Sequence, residues 1–325
     1  MPQRYLITGG AGFIGSHLTE RLIARGDTVT VLDDLSTGRA ENLRSVEGHE
    51  RFRLIRDSVE NETTVQVAMA QCDRVFHLAA AVGVQLVANE PVRTIRTTIH
   101  GTEVVLDMAN RFGRPVLITS SSEVYGKGAR VPFHEDDDVV MGPTQHSRWC
   151  YAYSKGIDEF LGLAYQKQFK LPVVIVRLFN TVGPRQVGMY GMVLPRFVAS
   201  ALADRAVQVY GDGEQTRCFC HVTDVVGALR QLIQTPAAVG EVFNVGSDEE
   251  VTMNGLAKRV IELAGSRSTI EHVPYEKAYG QQFDDMRRRV PKLDKIRRVI
   301  GFKPTKNLDQ IIQSVIDEQR KASSS

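Results

Sequence analysis

The run Thr8-Gly9-Gly10-Ala11-Gly12-Phe13-Ile14-Gly15 stands near the start of the chain, after a short apolar stretch from Arg4 to Thr8. Behind it comes an amphipathic pattern with Ile14, Leu18 and Leu22 on one face and Gly26 at its end. Strand, glycine turn and helix in that order form a βα unit whose bare backbone N–H groups and helix N-terminus surround an anion. The anion such a unit takes is the pyrophosphate of a dinucleotide. Gly9, Gly12 and Gly15 supply the tight turn, the close approach and the helix packing, and Phe13 and Ile14 complete the expected cofactor-binding set. A glycine loop that binds nothing is the alternative, and the flanking strand and helix argue against it.

Further apolar runs alternate with helical patterns: Thr28–Leu32, Arg51–Ile55, Val75–Leu78, a helix over about Thr98–Phe112, Pro115–Ser120, a longer helix over about Tyr151–Phe169, and Pro172–Leu178. The last is nearly continuous and β-branched, as a strand buried on both faces requires. This alternation predicts an α/β fold with a doubly wound parallel sheet of the Rossmann type. After Asn180 the elements shorten and Gly and Pro become frequent, while Glu241–Val245 again reads as a strand able to rejoin the sheet. The expected organisation is a cofactor-binding domain over residues 1–180 with a return segment near 218–246. A smaller discontinuous lobe for substrate would take residues 181–217 and 247–325. Such an arrangement suits 325 residues. The formal net charge of +2 gives no ground for a nucleic-acid or membrane surface, and no apolar run has the length of a membrane span. No metal is expected: Cys72, Cys150, Cys218 and Cys220 lack metal-ligand spacing, and reduced thiols in a cytoplasmic protein are the simpler reading.

Candidate chemistry gathers at strand ends. Asp33 closes the second strand, where a carboxylate accepts both ribose hydroxyls of an adenosine. With Asp34 beside it, NAD is favoured over NADP, and Arg39 pulls the other way. Asp57, after the third strand, has two readings of equal weight: a partner for the adenine amino group, or a solvated loop acid. Tyr151 and Lys155 are four residues apart on a predicted helix and share a face. A phenol titrates near pH 10, but a neighbouring ammonium and the positive nicotinamide ring both favour the phenolate, making the pair a general base. The Thr119-Ser120-Ser121-Ser122-Glu123-Val124-Tyr125-Gly126 turn follows a buried strand. Its hydroxyls and carboxylate either bind a polyol or cap backbone groups.

Taken together, these motifs resemble the extended short-chain dehydrogenase/reductase family, in its nucleotide-sugar branch. The resemblance rests on the Thr8–Gly15 turn, His77-Leu78-Ala79-Ala80, Ser121-Ser122-Glu123-Val124-Tyr125-Gly126, Tyr151 with Lys155, and Arg177-Leu178-Phe179-Asn180-Thr181-Val182-Gly183-Pro184-Arg185. Val209-Tyr210-Gly211-Asp212-Gly213, Thr216-Arg217-Cys218-Phe219 and Arg287-Arg288-Arg289-Val290-Pro291 extend it. It implies NAD as cofactor and a UDP-sugar as substrate. Asn180, Arg217 and Arg289 would bind the diphosphate and Tyr210 would lie near the base. It also implies homodimers formed through the two long helices, with Ile157, Phe160, Leu161 and Ala164 as a candidate face; the same face could instead pack on the sheet.

Details within the branch discriminate further. Dehydratases place Asp before the Glu of the serine turn, where this chain has Ser122; 4-epimerases carry Ser-Pro just before the catalytic Tyr, where this chain has Trp149-Cys150. Arg148, three residues before Tyr151, together with Ser122-Glu123 is similar to the UDP-glucuronate decarboxylases and UDP-xylose synthases. Phe283-Asp284-Asp285-Met286 resembles the apiose/xylose group, but Ser122 replaces that group's cysteine; Thr98 stands where the family has Asn. The implied reaction has Tyr151 take the C4 hydroxyl proton as the C4 hydride leaves for NAD. Carbon dioxide is then lost from the resulting β-keto acid, with Ser121, Ser122 and Glu123 positioning the sugar and managing protons. The product is UDP-xylose or a UDP-4-keto-pentose. Arg148 orients the substrate or gates the site. The rivals are a UDP-glucose or UDP-glucuronate 4-epimerase and, more remotely, a non-catalytic NAD-sensing scaffold.

Overall fold

The computed structural model describes residues 2–80, 90–146, 148–188, 192–275, 277 and 286–323, and in helices ending beside the gaps it leaves out the side chains of residues 148 and 323. Strands β1 (Arg4–Thr8), β2 (Thr28–Leu32), β3 (Phe52–Ile55), β4 (Arg74–His77), β5 (Val116–Ser121), β6 (Val173–Leu178) and β11 (Val242–Val245) form one sheet in the order β11-β6-β5-β4-β1-β2-β3. Every pairing in it is parallel. The chain runs outward from β1 to β3, then restarts beside β1 with β4 and runs out the other way. The reversal between β1 and β4 opens a crevice at the carboxyl ends of those strands, where α/β sheets bind ligands.

Helices cover both faces. Helix α1 (Phe13–Ile23) and helix α6 (Val222–Gln234) bury Leu18, Leu22, Val225 and Leu229 against one face. Helices α2 (Glu62–Ala70), α3 (Pro91–Phe112) and α4 (Arg148–Phe169) cover the other, with Val65, Val105, Leu106 and the partly buried Leu161 packed on Val116, Ile118 and Val173. Helix α3 begins about two turns before the expected Thr98, because Pro91 at its first turn is pre-set for helix and needs no N–H partner. Helix α2 is absent from the sequence reading; Asn61 starts it by accepting from the Thr64 N–H.

A second apolar cluster lies beyond the sheet. Helices α5 (Val193–Leu202), α7 (Met253–Ala264) and α9 (Leu308–Ser323) contribute Leu194, Phe197, Leu256, Val260, Ile312 and Ile316. Small sheets flank it: β8 (Val207–Tyr210) pairs with β13 (Ile270–Val273), and β9 (Thr216–Cys218) lies between β12 (Glu250–Thr252) and β14 (Arg288–Arg289). The division is finer than expected. Leu293, Ile296 and Phe302, around helix α8 (Asp294–Ile300), were assigned by sequence to the substrate lobe, yet they pack into the first core with Leu18 and Leu229. Apolar pattern alone does not say which of two cores a short helix joins. The predicted α4 face also divides: Leu161 packs on the sheet, whereas Ile157 and Phe160 are exposed, Phe160 at 78%.

Candidate active site

The crevice floor follows from the glycines. Gly9 has φ +71°, and a Cβ there would lie 2.7 Å from the Ala79 nitrogen at the end of β4. At Gly15 a Cβ would meet the Gly9 carbonyl oxygen at 2.3 Å. Any larger residue would push α1 off the turn, so the backbone N–H groups at the start of α1 stay bare beside the crevice. Asp33 ends β2 at 7% exposure; its Oδ2 accepts from Ala11 N–H and its Oδ1 from Leu35 N–H, both at 2.9 Å. Burial pushes this carboxyl up, and the two backbone donors pull it back. A Cβ on Gly38 would stand 2.7 Å from Asp33 Oδ1, so glycine there keeps space beside the carboxylate. The empty Cβ positions, the helix N-terminus and the fixed carboxylate fit a dinucleotide. Asp57 is engaged locally: it accepts from Ser58 N–H at 2.7 Å, Asn61 Nδ2 at 2.9 Å and Thr64 Oγ1 at 2.5 Å, tying down the start of α2. These partners, Thr64 first, hold its carboxyl below the usual range.

Behind the turn runs a buried chain of single hydrogen bonds. Ala79 N–H donates to Thr8 Oγ1 at 3.3 Å, and Thr8 Oγ1 lies 2.7 Å from His77 Nδ1. His77 Nε2 lies 3.0 Å from Thr102 Oγ1, whose hydroxyl donates to the Thr98 carbonyl at 2.7 Å. Since Thr102 spends its proton on Thr98, Nε2 must donate and Nδ1 must accept from Thr8. His77 is therefore a neutral Nε2–H tautomer, and burial, aided by the Lys155 charge, lowers its pKa to about 3.

The catalytic candidates meet where α4 crosses the carboxyl end of β5. Ser121, the last residue of β5, accepts from Glu123 N–H at 3.2 Å through Oγ, giving the serine turn a capping role; its hydroxyl also bonds the Tyr151 side chain. Ser122 is buried in the same turn. Burial pushes the Tyr151 phenol up, and the negative charges of Glu123 and Asp158 push it further. The expected lowering calls on the positive nicotinamide ring as well as Lys155; in the ligand-free site burial and these two carboxylates act instead. The Lys155 ammonium is itself paired: Nζ donates to Asp158 Oδ2 at 3.1 Å, and both side chains are buried. Sequence reasoning missed Asp158, although Tyr151, Lys155 and Asp158 recur at i, i+4 and i+7, one stripe of a helix.

A rigid scaffold stands behind the turn. Glu159 takes a two-pronged contact from Arg177, Nε to Oε1 at 2.9 Å and Nη2 to Oε2 at 2.7 Å, and also accepts from Ser120 Oγ at 2.5 Å. The Arg177 guanidinium lies 4.7 Å from the centroid of the Tyr125 ring, and the Tyr125 hydroxyl donates to Asn244 Oδ1 at 2.7 Å.

The four described substrate-side candidates come from other elements. Asn180 Nδ2 donates to the Cys218 carbonyl at 3.1 Å, and its own carbonyl accepts from Cys220 N–H. Arg217 is buried on β9 and Nη1 donates to the Thr216 carbonyl at 2.7 Å. Arg289 on β14 is its register partner, which places two arginines side by side. Arg289 Nη1 is bonded to Glu123 Oε1 of the serine turn. Tyr210 ends β8 with the Arg196 guanidinium 4.0 Å from its ring centroid. The Arg148 side chain and residues 283–285 lie outside the described residues.

Comparison with known proteins places this geometry. A family model described as GDP-mannose 4,6 dehydratase matches residues 6–315. The UDP-N-acetyl-alpha-D-glucosaminuronate decarboxylase of Bacillus cytotoxicus is 40% identical over 317 residues, covering 97% of each chain. The UDP-glucuronic acid decarboxylase 2 of Arabidopsis thaliana is 38% identical over 98% of this chain and 68% of its own length. Among solved structures, the UDP-glucuronic acid 4-epimerase of Bacillus cereus, in complex with UDP-glucuronic acid and NAD, superposes with a TM-score of 0.88 at 26% identity, over 98% of this chain and 99% of that one.

Proposed function

The chain belongs to the GDP-mannose 4,6 dehydratase family of the extended short-chain dehydrogenase/reductases, and from that premise we propose that it is an NAD-dependent UDP-glucuronate decarboxylase. The observation that carries decarboxylation over epimerisation is whole-chain likeness to decarboxylases. The two decarboxylases above are 40% and 38% identical, against 26% for the epimerase. Their names differ only in the C2 substituent of the hexuronate, so both share the C5 carboxylate that the reaction removes. Ser122 in place of the dehydratases' Asp also speaks against elimination of water.

The glycine turn and the helix N-terminus would hold the pyrophosphate of NAD, with Asp33 on the adenosine ribose and Lys155 on the nicotinamide ribose. When bound, NAD supplies a reversible acceptor for the C4 hydride. With Lys155 and the positive nicotinamide ring favouring the phenolate, Tyr151 Oη would take the proton of the C4 hydroxyl, with Ser121 holding that oxygen in place. In the 4-keto acid the C5–carboxylate bond breaks, its electron pair passes into the C5–C4–O enolate, and a proton then returns to C5; return of the hydride to C4 with the Tyr151 proton to its oxygen would give the UDP-pentose, and without that return the UDP-4-keto-pentose leaves. Ser121, Ser122 and Glu123 position the sugar. Arg289 neutralises Glu123, so an incoming hexuronate carboxylate is not repelled there. Arg217 and Asn180 face the diphosphate and Tyr210 the base, while Arg148 orients the sugar. Two copies would pair through the exposed apolar residues Ile157 and Phe160 of α4 and Val92 and Ile95 of α3.

The test is a product analysis. Purified protein is given UDP-glucuronate or UDP-N-acetylglucosaminuronate, and products are weighed by mass spectrometry. Release of carbon dioxide with a UDP-pentose from UDP-glucuronate is expected. A product of unchanged mass with inverted C4 would establish epimerisation instead, and no turnover of either sugar would remove the assignment.

A further inference from the structure

Asp158 is a fully buried carboxylate that the reaction above does not use. It lies one turn beyond Lys155 on α4 and receives the Lys155 ammonium at 3.1 Å, in a place where Lys155 itself is 2% exposed. Its second oxygen, Oδ1, is buried with no full hydrogen bond among the described residues. A buried charge so poorly served is costly, and removing either partner of such a pair usually destabilises strongly, so its presence needs a reason. The polar groups that act on it are Lys155 and Glu159 from its own helix and Thr102 from α3; His77 of β4, bonded to Thr102, feels the Lys155 charge. Across the crevice, the groups that act on Tyr151 are Ser121 and Glu123 from the serine turn and Asp158 itself.

We propose that Asp158 is a positioning residue for the Tyr151–Lys155 pair: it holds the ammonium back along α4 until a cofactor ribose takes it, and keeps a fixed negative charge behind the phenol. The inference rests on the reading of Lys155 as the residue that meets the nicotinamide ribose. A ribose hydroxyl and the Asp158 carboxylate compete for the same N–H groups, so the carboxylate lowers cofactor affinity. The same negative charge opposes ionisation of Tyr151 and thereby raises the pH at which the base becomes active. Burial pushes the Asp158 carboxyl up while the Lys155 charge pulls it back.

The neutral isostere Asp158→Asn separates this role from a structural one. NAD affinity, measured by calorimetry on the full chain without sugar, is expected to tighten about tenfold, the scale of one hydrogen bond to a charged group. The acid limb of the kcat–pH profile is expected to fall by about one pH unit. Asp158→Glu keeps the charge and is expected to restore both toward the native values. Asp158→Ala, smaller and also neutral, repeats the two shifts and serves if the asparagine variant does not fold. A folded neutral variant that binds NAD no more tightly than the native chain overturns the proposal. The calorimetric arm needs no sugar substrate, so it decides this inference even if UDP-glucuronate proves not to be turned over.

Discussion

The two ends of the candidate site are built in opposite ways. At the cofactor end the chain works by leaving atoms out. Gly9 and Gly15 have no room for a Cβ, and Asp33 is held by two backbone N–H groups, Ala11 of the glycine turn and Leu35 just after its own strand. At the sugar end the chain works by pairing charges, one pair across the fold and one within a single helix. Glu123 is bonded to Arg289, 166 positions away, and Lys155 is bonded to Asp158. The first end is preorganised and ready; in the second, two of the groups assigned to chemistry hold other protein charges in the ligand-free chain. Binding of cofactor and sugar therefore amounts to an exchange of partners at one end and to simple docking at the other.

That contrast also explains what the sequence discloses. Steric absence has a local signature, so Gly9, Gly12 and Gly15 mark the crevice from sequence alone. The β-branched run of β6 likewise marks a central strand. Val242–Val245 was legible as the strand that rejoins the sheet, because a short apolar run after a helix has few other uses. Pairing across the fold has no local signature. Nothing near Glu123 says that Arg289 will reach it, and nothing near Leu293 says that α8 will leave the second lobe for the first core. Asp158 was open to discovery by helical spacing, yet a carboxylate on a helix is usually read as a solvated face. Its burial is a property of how α3 and α4 pack, not of their sequences taken separately. Asp57 shows the converse: its partners Ser58, Asn61 and Thr64 are local, but the turn they form came with a helix the apolar pattern did not disclose.

Substitutions can break the contrast, and Tyr151→Phe has the largest expected effect. It removes the proton acceptor proposed for the sugar end and leaves the glycine turn and Asp33 untouched. Turnover should fall by about 10²–10⁴-fold, the range for a positioned general base, while NAD remains bound at native stoichiometry. Steady-state rates and the nucleotide content of the purified variant give both numbers. Loss of NAD together with turnover would mean that the two ends are not separable.

Gly15→Ala is the complementary change. Its Cβ would stand 2.3 Å from the Gly9 carbonyl oxygen and 2.6 Å from the Gly10 Cα, both backbone, so α1 or the turn must shift. Overpacking of this kind costs about 1–3 kcal/mol. Thermal unfolding should show a lowered Tm that added NAD recovers poorly, because the displaced N–H groups no longer meet the pyrophosphate. A variant with native Tm and native NAD affinity would show that the turn is not the rigid cradle its glycines require.

The smallest effect sharpens the boundary between the two ends. His77 sits behind both, bonded to Thr8 under the glycine turn and to Thr102 on α3, and it is buried and neutral. Its pKa is about 3 in the folded chain against an ordinary 6.5. The unfolded chain therefore binds more protons than the folded one between those values, and stability must rise with pH across that window. The contribution is fully present above pH 6.5 and is lost as pH falls toward 3, with a slope of up to about 1.4 kcal/mol per pH unit. His77→Gln does not titrate in that window and retains both a donor and an acceptor, so its urea midpoint should change less than the native midpoint between pH 6.5 and pH 4.5. Parallel midpoints in the two proteins would mean that the folded imidazole takes up a second proton across this range as readily as the unfolded one. The hydrogen-bond chain from Ala79 to Thr98 could not then run in the single direction that Thr102 imposes, since a doubly protonated ring would donate at both ends and leave Thr8 with nothing to donate to.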